Sequence, residues 1–226
     1  AQDRIEQEVR ASTGRLAGTL RVRLPVMGTG VGIVRAMAAF SRAHPEVELH
    51  VQQGWDAKAL QPGEFDVAMR LGQHVDPELR AHKLFDVRMI LVASREYVEE
   101  HGLPDTVDDF AQHRAVQEWD ASGRLVHWCW PDGTRVRPPP VAVRAHGVGH
   151  VIGFALGGAG IAWVLDVLAQ PALAEGALHH VVPAVYRSEA VSLVYLPDPT
   201  PTTRAFIDFM AARGREDYDP SHLVWR

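Results

Sequence analysis

Apolar positions recur at helical spacing through residues 31–43, where Ile33, Val34, Met37, Ala38 and Phe40 form a broad stripe and predict an amphipathic helix. Pro45 ends it, because the residue before a proline is pushed out of the α region. Glu46 to Gln52 then alternate polar and apolar, as a half-buried strand does. Ahead of the helix, Thr19 to Leu24 read as a strand leading into the loop Pro25-Val26-Met27-Gly28-Thr29-Gly30. A short turn of helix and a third strand, Asp66 to Arg70, follow. This β-α-β-α-β alternation implies a parallel sheet with right-handed crossovers.

Downstream, Val87 to Ala93 are a long apolar strand, with Ser94 placed to cap the helix containing Tyr97. Thr106 and Asp109 have capping-box spacing, with Asp in place of the usual Glu or Gln. A β-rich, irregular stretch runs through Trp119, Trp128 and Trp130 to Pro138-Pro139-Pro140. Gly147 to Leu156 read as a helix, Gly157-Gly158-Ala159-Gly160 as a tight turn, and Ile161 to Val164 as a buried strand. Asp166 is positioned to cap the next helix. Ala190 to Leu196 form another strand, and Thr202 to Arg213 a last helix with Phe206, Phe209 and Met210 inward. At the start, Asp3 to Arg15 read as a polar helix with Ile5 and Val9 on a narrow seam, either a coiled-coil stub or a frayed terminal helix.

The run of helix, His44-Pro45-Glu46-Val47, strand, then Gly63-Glu64-Phe65-Asp66-Val67-Ala68-Met69-Arg70-Leu71-Gly72 resembles the effector-binding domain of LysR-type transcriptional regulators. Further fragments keep the family's order: Leu91-Val92-Ala93-Ser94 with Tyr97, Trp128 before a Pro-Asp-Gly turn, Ala155 to Ala162, Glu175-Gly176-Ala177-Leu178, and Arg204 to Phe209. The resemblance implies an α/β fold like type 2 periplasmic binding proteins, with two Rossmann-like lobes around an effector cleft. Residues 1–17 would end the linker helix, 18–90 plus 190–213 form lobe I, 91–189 form lobe II, and 214–226 make a C-terminal tail without family counterpart. It also implies a homodimer or homotetramer, built side by side through the helices 31–43 and 147–157. The chain departs from the pattern in lacking the winged helix-turn-helix, so operator binding is not expected of it alone. It also carries Trp163-Val164-Leu165-Asp166 where the family often has an aliphatic pair and a proline.

Composition narrows the classes further. A net charge of -5 over 226 residues argues against nucleic-acid binding by this piece itself. The single cysteine, Cys129, excludes an internal disulfide and a multi-cysteine zinc site, and fits a reducing cytoplasm. No stretch reaches the roughly 18 apolar residues of a membrane helix, and residues 1–10 are too polar for a signal peptide. Ala1-Gln2-Asp3 is nevertheless what the cut end of a processed secreted protein looks like. A periplasmic solute-binding protein of a transport system is therefore the rival reading.

Candidate chemistry lies at strand ends. The Val26-Met27-Gly28-Thr29 loop should follow a parallel strand and open a helix, where unpaired N–H groups favour an anionic or carbonyl group. Arg70, at the end of its apolar strand, either lines the cleft or pairs with a carboxylate. Trp55 is a cleft wall or surface packing, and Trp163 is core or pocket. His146 opens the lobe II helix and is a candidate effector contact. These groups suit a small-molecule effector such as an organic or aromatic carboxylate. His146 and His150 are four apart, yet no third ligand lies close in sequence, so no metal is expected. His179-His180 reads as a solvated strand end and Cys129 as a small buried hydrophobe. Nucleophile elbow, paired carboxylates and cofactor motif are all missing, so neither catalysis nor a cofactor is expected. Val151, Ile152, Phe154, Ala155 and Leu156 leave the 147–157 helix apolar nearly all round, so it should be covered on two sides. Ile33, Met37, Val151 and Phe154 are the predicted dimer contacts.

Overall fold

The computed structural model describes residues 16–25, 31–54, 65–72, 76–120 and 122–214. In chain order the described elements are β1 (Gly18–Leu24), α1 (Val31–Ala43), β2 (Val47–Gln53), β3 (Val67–Leu71), β4 (Arg80–Ser94) and α2 (Arg95–His101). A 3-10 turn (Val107–Gln112), β5 (Ala115–Trp119), β6 (Val141–His146), α3 (Val148–Leu156) and β7 (Ile161–Leu165) follow. Last come α4 (Asp166–Ala174), β8 (Leu178–Tyr195) and α5 (Pro201–Gly214). Among the described residues, those up to Asp86 and those from Ala190 to Gly214 form one compact unit, and Val87–Glu189 form a second. β4 and β8 each run through both.

In the first unit the strand order is β2-β1-β3-β8. β1 lies parallel to β2 along its whole length and parallel to β3 from Val22↔Val67, while β8 closes the sheet antiparallel to β3. Alternation puts Leu20, Val22 and Leu24 inside, as period-two strands require. α1 buries Ala36, Met37, Ala39 and Phe40. The Phe40 ring meets Phe206 of α5 edge-on at 5.1 Å and Phe209 at 5.4 Å, so the two helices lock through aromatic contacts. Asp66 explains part of the Phe-Asp-Val motif. Its carboxylate accepts the Arg21 N–H at 2.7 Å and its own N–H donates to Arg21 O at 2.9 Å, extending the β1–β3 ladder by one residue.

In the second unit the strand order is β4-β7-β5-β6. β7 is antiparallel to β4 and parallel to β5, and β6 lies parallel on the far edge. One face, with Ile90, Val92, Val116, Ala145, Ala162 and Val164, is sealed by Val151 and Ala155 of α3 and Ala169 of α4. Ser94 accepts the Tyr97 N–H at 3.1 Å as the N-cap of α2. The Thr106–Asp109 capping box is closed in both directions, on a 3-10 turn.

Three local expectations change. Asp166 is the first residue of α4 and not its cap; its carboxylate accepts the Val167 N–H at 2.7 Å, and Leu165 is the N-cap. β8 begins at Leu178 rather than Ala190 because Pro183 and Val182, at φ 43, interrupt the alternation that marks a strand. His180 is therefore not a solvated end: burial, then the charge of Arg88, push its pKa down to about 4. The Asp3–Arg15 helix, the helical turn before Phe65 and residues 215–226 lie outside the described residues.

Candidate effector site

Parallel pairing in register brings the carboxyl ends of β1, β2 and β3, at Leu24, Gln53 and Leu71, to one edge of the first unit. Val26, Met27, Gly28, Thr29 and Trp55 continue from that edge but lie outside the described residues. Arg70 is half-buried one residue before the end of β3, opposite Ser192 of β8. Among the described residues no carboxylate forms an ion pair with it.

In the second unit the carboxyl ends of β5 and β6 stand side by side, with Trp119 and His146 as registered partners. Their rings lie 5.2 Å apart, inclined at 50°. Both side chains are exposed, and Trp119 keeps 41% of its surface open. α3 starts just beyond His146, after Gly147 at φ +88, and carries no side-chain cap. The first amides to bond back to the Gly147 carbonyl are those of His150 and Val151, so the leading amides of the helix are unspent within it. His150 Nδ1–H donates to the His146 carbonyl at 2.8 Å, which ties that ring to backbone. Among the described residues no three His, Cys, Asp or Glu side chains gather as a metal would need.

Trp163 is core and not a wall open to a ligand: it is 1% exposed on β7, opposite Leu91 of β4. Its position in the strand puts it on the sheet face away from α3, where the interior closes over it. Two proposed interface residues also turn inward, Met37 in α1 and the fully buried Val151 in α3. Helical spacing explains this, since Val151 and Ala155 share the face on the sheet. Ile33 is half-buried, and Phe154, Leu156 and Val34 are exposed, Phe154 at 44%. Trp119 was missed from the sequence. Its signal was a tryptophan closing the segment Ala115–Trp119 just before Asp120, but only β5–β6 pairing gives that end a neighbour.

At the opposite ends of these strands lies a buried polar knot. The Arg114 N–H donates to the Tyr97 hydroxyl at 2.8 Å, and that hydroxyl is also hydrogen-bonded to His113 Nδ1 at 3.3 Å. The His101 ring stacks on Tyr97 at 4.4 Å. Burial lowers the His113 pKa, with His101 adding to the effect, and burial raises that of Tyr97.

The mixed α/β sheet, with parallel strand ends gathered in each unit, fits the architecture of the type 2 periplasmic-binding-protein class. The LysR substrate binding domain family matches residues 13–215, and the chain belongs to that family. An HTH-type transcriptional regulator of Xanthomonas campestris pv. campestris is 30% identical over 227 residues, covering 94% of this chain and 65% of that protein. The CrgA regulatory domain of Neisseria meningitidis, a LysR-type transcriptional regulator, superposes with a TM-score of 0.74 at 27% identity, over 87% of this chain and 98% of that one. The regulatory domain of AphB from Vibrio vulnificus treated with cumene hydroperoxide gives a TM-score of 0.74 at 26% identity, over 87% and 100%. The relatives are regulators, so a transport protein is not favoured. No helix among the described residues is long and apolar enough to cross a membrane.

Proposed function

We propose that this chain is the effector-sensing and dimerising part of a LysR-type transcriptional regulator. The family match across residues 13–215 carries this reading. DNA contact would come from a winged helix-turn-helix in a longer protein, in the cytoplasm, and the chain itself catalyses nothing. Domain roles follow the sequence division: residues 18–90 with 190–213, and 91–189, as the two effector-binding lobes. The proposed effector contacts are Val26, Met27, Gly28, Thr29, Trp55, Arg70 and His146. Trp163 drops out because it is buried.

The effector is a small organic carboxylate in this reading, held by loop amides, the Thr29 hydroxyl and the Arg70 guanidinium. It acts only through its differential affinity for two states of the domain. A thermal-shift screen of organic carboxylates tests it, because a ligand at 100 times its dissociation constant stabilises by about 2.7 kcal/mol. Thr29→Ala and Arg70→Ala should each weaken the hit roughly 10- to 150-fold, as loss of a charged hydrogen bond does. If Arg70→Ala lowers the melting temperature and leaves affinity untouched, Arg70 is structural.

A further inference from the structure

The exposed end of β5 and β6 in the second unit sets beside His146 two residues, Trp119 and Arg144, that the proposed effector reading does not use. Trp119 is a large indole left 41% open, and a frayed chain end does not explain that exposure. Its backbone is held on both sides, by the parallel partner His146 and by an antiparallel bridge to Leu125. The turn between Trp119 and Leu125 is braced by the Asp120 carboxylate, which accepts the Ser122 N–H at 2.9 Å and the Arg124 N–H at 2.9 Å. The Asp120 N–H donates to Arg124 O at 2.8 Å. A backbone hydrogen-bonded on both sides therefore presents this ring to solvent.

Its neighbours are of a matching kind. The His146 ring sits 5.2 Å from it, and Leu125 is exposed across the bridge. Two rungs back, Gln117 pairs with Arg144, and alternation puts Arg144 on the same face of β6 as His146. Arg144 is exposed, and no carboxylate among the described residues forms an ion pair with it. Gln117 is buried with its amide committed to Val126 O at 2.8 Å, so the cation on this face is Arg144.

We propose that Trp119, His146 and Arg144 form a platform for a planar aromatic anion, the ring lying on Trp119 beside His146 and the carboxylate meeting Arg144. Aromatic rings favour offset or edge-to-face contact with an indole, and a guanidinium fork matches a carboxylate in geometry. The proposal rests on the effector-sensing reading and narrows its ligand from organic carboxylates to aromatic ones. It replaces Trp163 with Trp119 as the aromatic wall.

Benzoate, 1-naphthoate and indole-3-carboxylate are the probes, with cyclohexanecarboxylate as the non-planar control. Each is titrated to millimolar concentration into the 15N-labelled chain while the six indole N–H signals are followed. Trp119→Phe identifies the Trp119 signal by its loss. The aromatic acids should shift that signal saturably, and cyclohexanecarboxylate should bind roughly 2- to 12-fold more weakly, the value of an aromatic pair. Arg144→Gln should weaken all the carboxylates at this signal. A shift at Trp119 that is indifferent to Arg70→Ala supports the platform and counts against the Arg70-centred effector site. Saturable stabilisation of the chain by an aromatic acid with the Trp119 signal unmoved overturns the platform and leaves the sensing reading standing. No saturable movement of Trp119 with any of the three aromatic acids also overturns it.

Discussion

Two histidines give the fold an acid-sensitive stability. His180 is depressed to about 4 by burial and Arg88, and His113 is lowered from the ordinary 6.5 by burial and His101. A histidine with a depressed pKa stays neutral in the fold but binds a proton in the unfolded chain between the two values. Stability is then full above about pH 6.5 and falls as pH drops toward about 4. The lowered carboxylates, Asp120 at about 2 among them, act only below that window. Urea midpoints measured from pH 7 to 4.5 should decline, and His180→Gln together with His113→Gln should flatten the decline. An unchanged slope in the double variant would sink this assignment. At the same knot, Tyr97→Phe strips a partner from both the Arg114 N–H and His113 Nδ1. That loss should cost roughly 1–3 kcal/mol by chemical denaturation, as an unsatisfied buried polar group does.

At the scale of elements, the turn joining α3 to β7 depends on one glycine. Gly160 sits at φ +142, and a Cβ there would collide with the Arg114 carbonyl that accepts the Ile161 N–H. Gly160→Ala should lose roughly 1–3 kcal/mol from backbone strain alone. Gly149→Ala, where a Cβ meets nothing within 4 Å, is the control and should be neutral or slightly stabilising. Equal melting temperatures for the two variants would rule the argument out. Helices and caps were legible in the sequence for this reason: α1 matches its predicted 31–43 span, Ser94 caps α2, and Thr106–Asp109 closes its box. Each is encoded within a few residues. The first half of β8 was not, because Val182 and Pro183 break its local pattern and it is a strand only by virtue of its neighbours.

At the scale of the molecule, α3 carries both a buried and an exposed set of apolar side chains. Val151 is fully buried on its inward face, while Phe154 and Leu156 remain exposed. Phe154→Asp should leave the unfolding midpoint nearly unchanged, whereas Val151→Asp should cost several kcal/mol by burying a charge. If the chain is the dimer proposed, light scattering at tens of micromolar should show Phe154→Asp shifted toward monomer. A fully dimeric Phe154→Asp protein would place the interface elsewhere.

What the sequence determined by itself was the parallel opening of the first unit, the capped helices and the family, since periodicity, prolines and short motifs are local. Arg70 was legible as a strand-end cation because its apolar run, Val67-Ala68-Met69, ends there. Tertiary structure decided which aromatic is open. Trp163 lies in the middle of β7 and Trp119 ends β5, and their strand neighbours decide which indole is covered. β7 lies between β4 and β5 and its indole is covered, whereas β5 meets edge strand β6 at a carboxyl end that leaves Trp119 and His146 in solvent. Burial is a property of the whole sheet order, and no window of residues carries it.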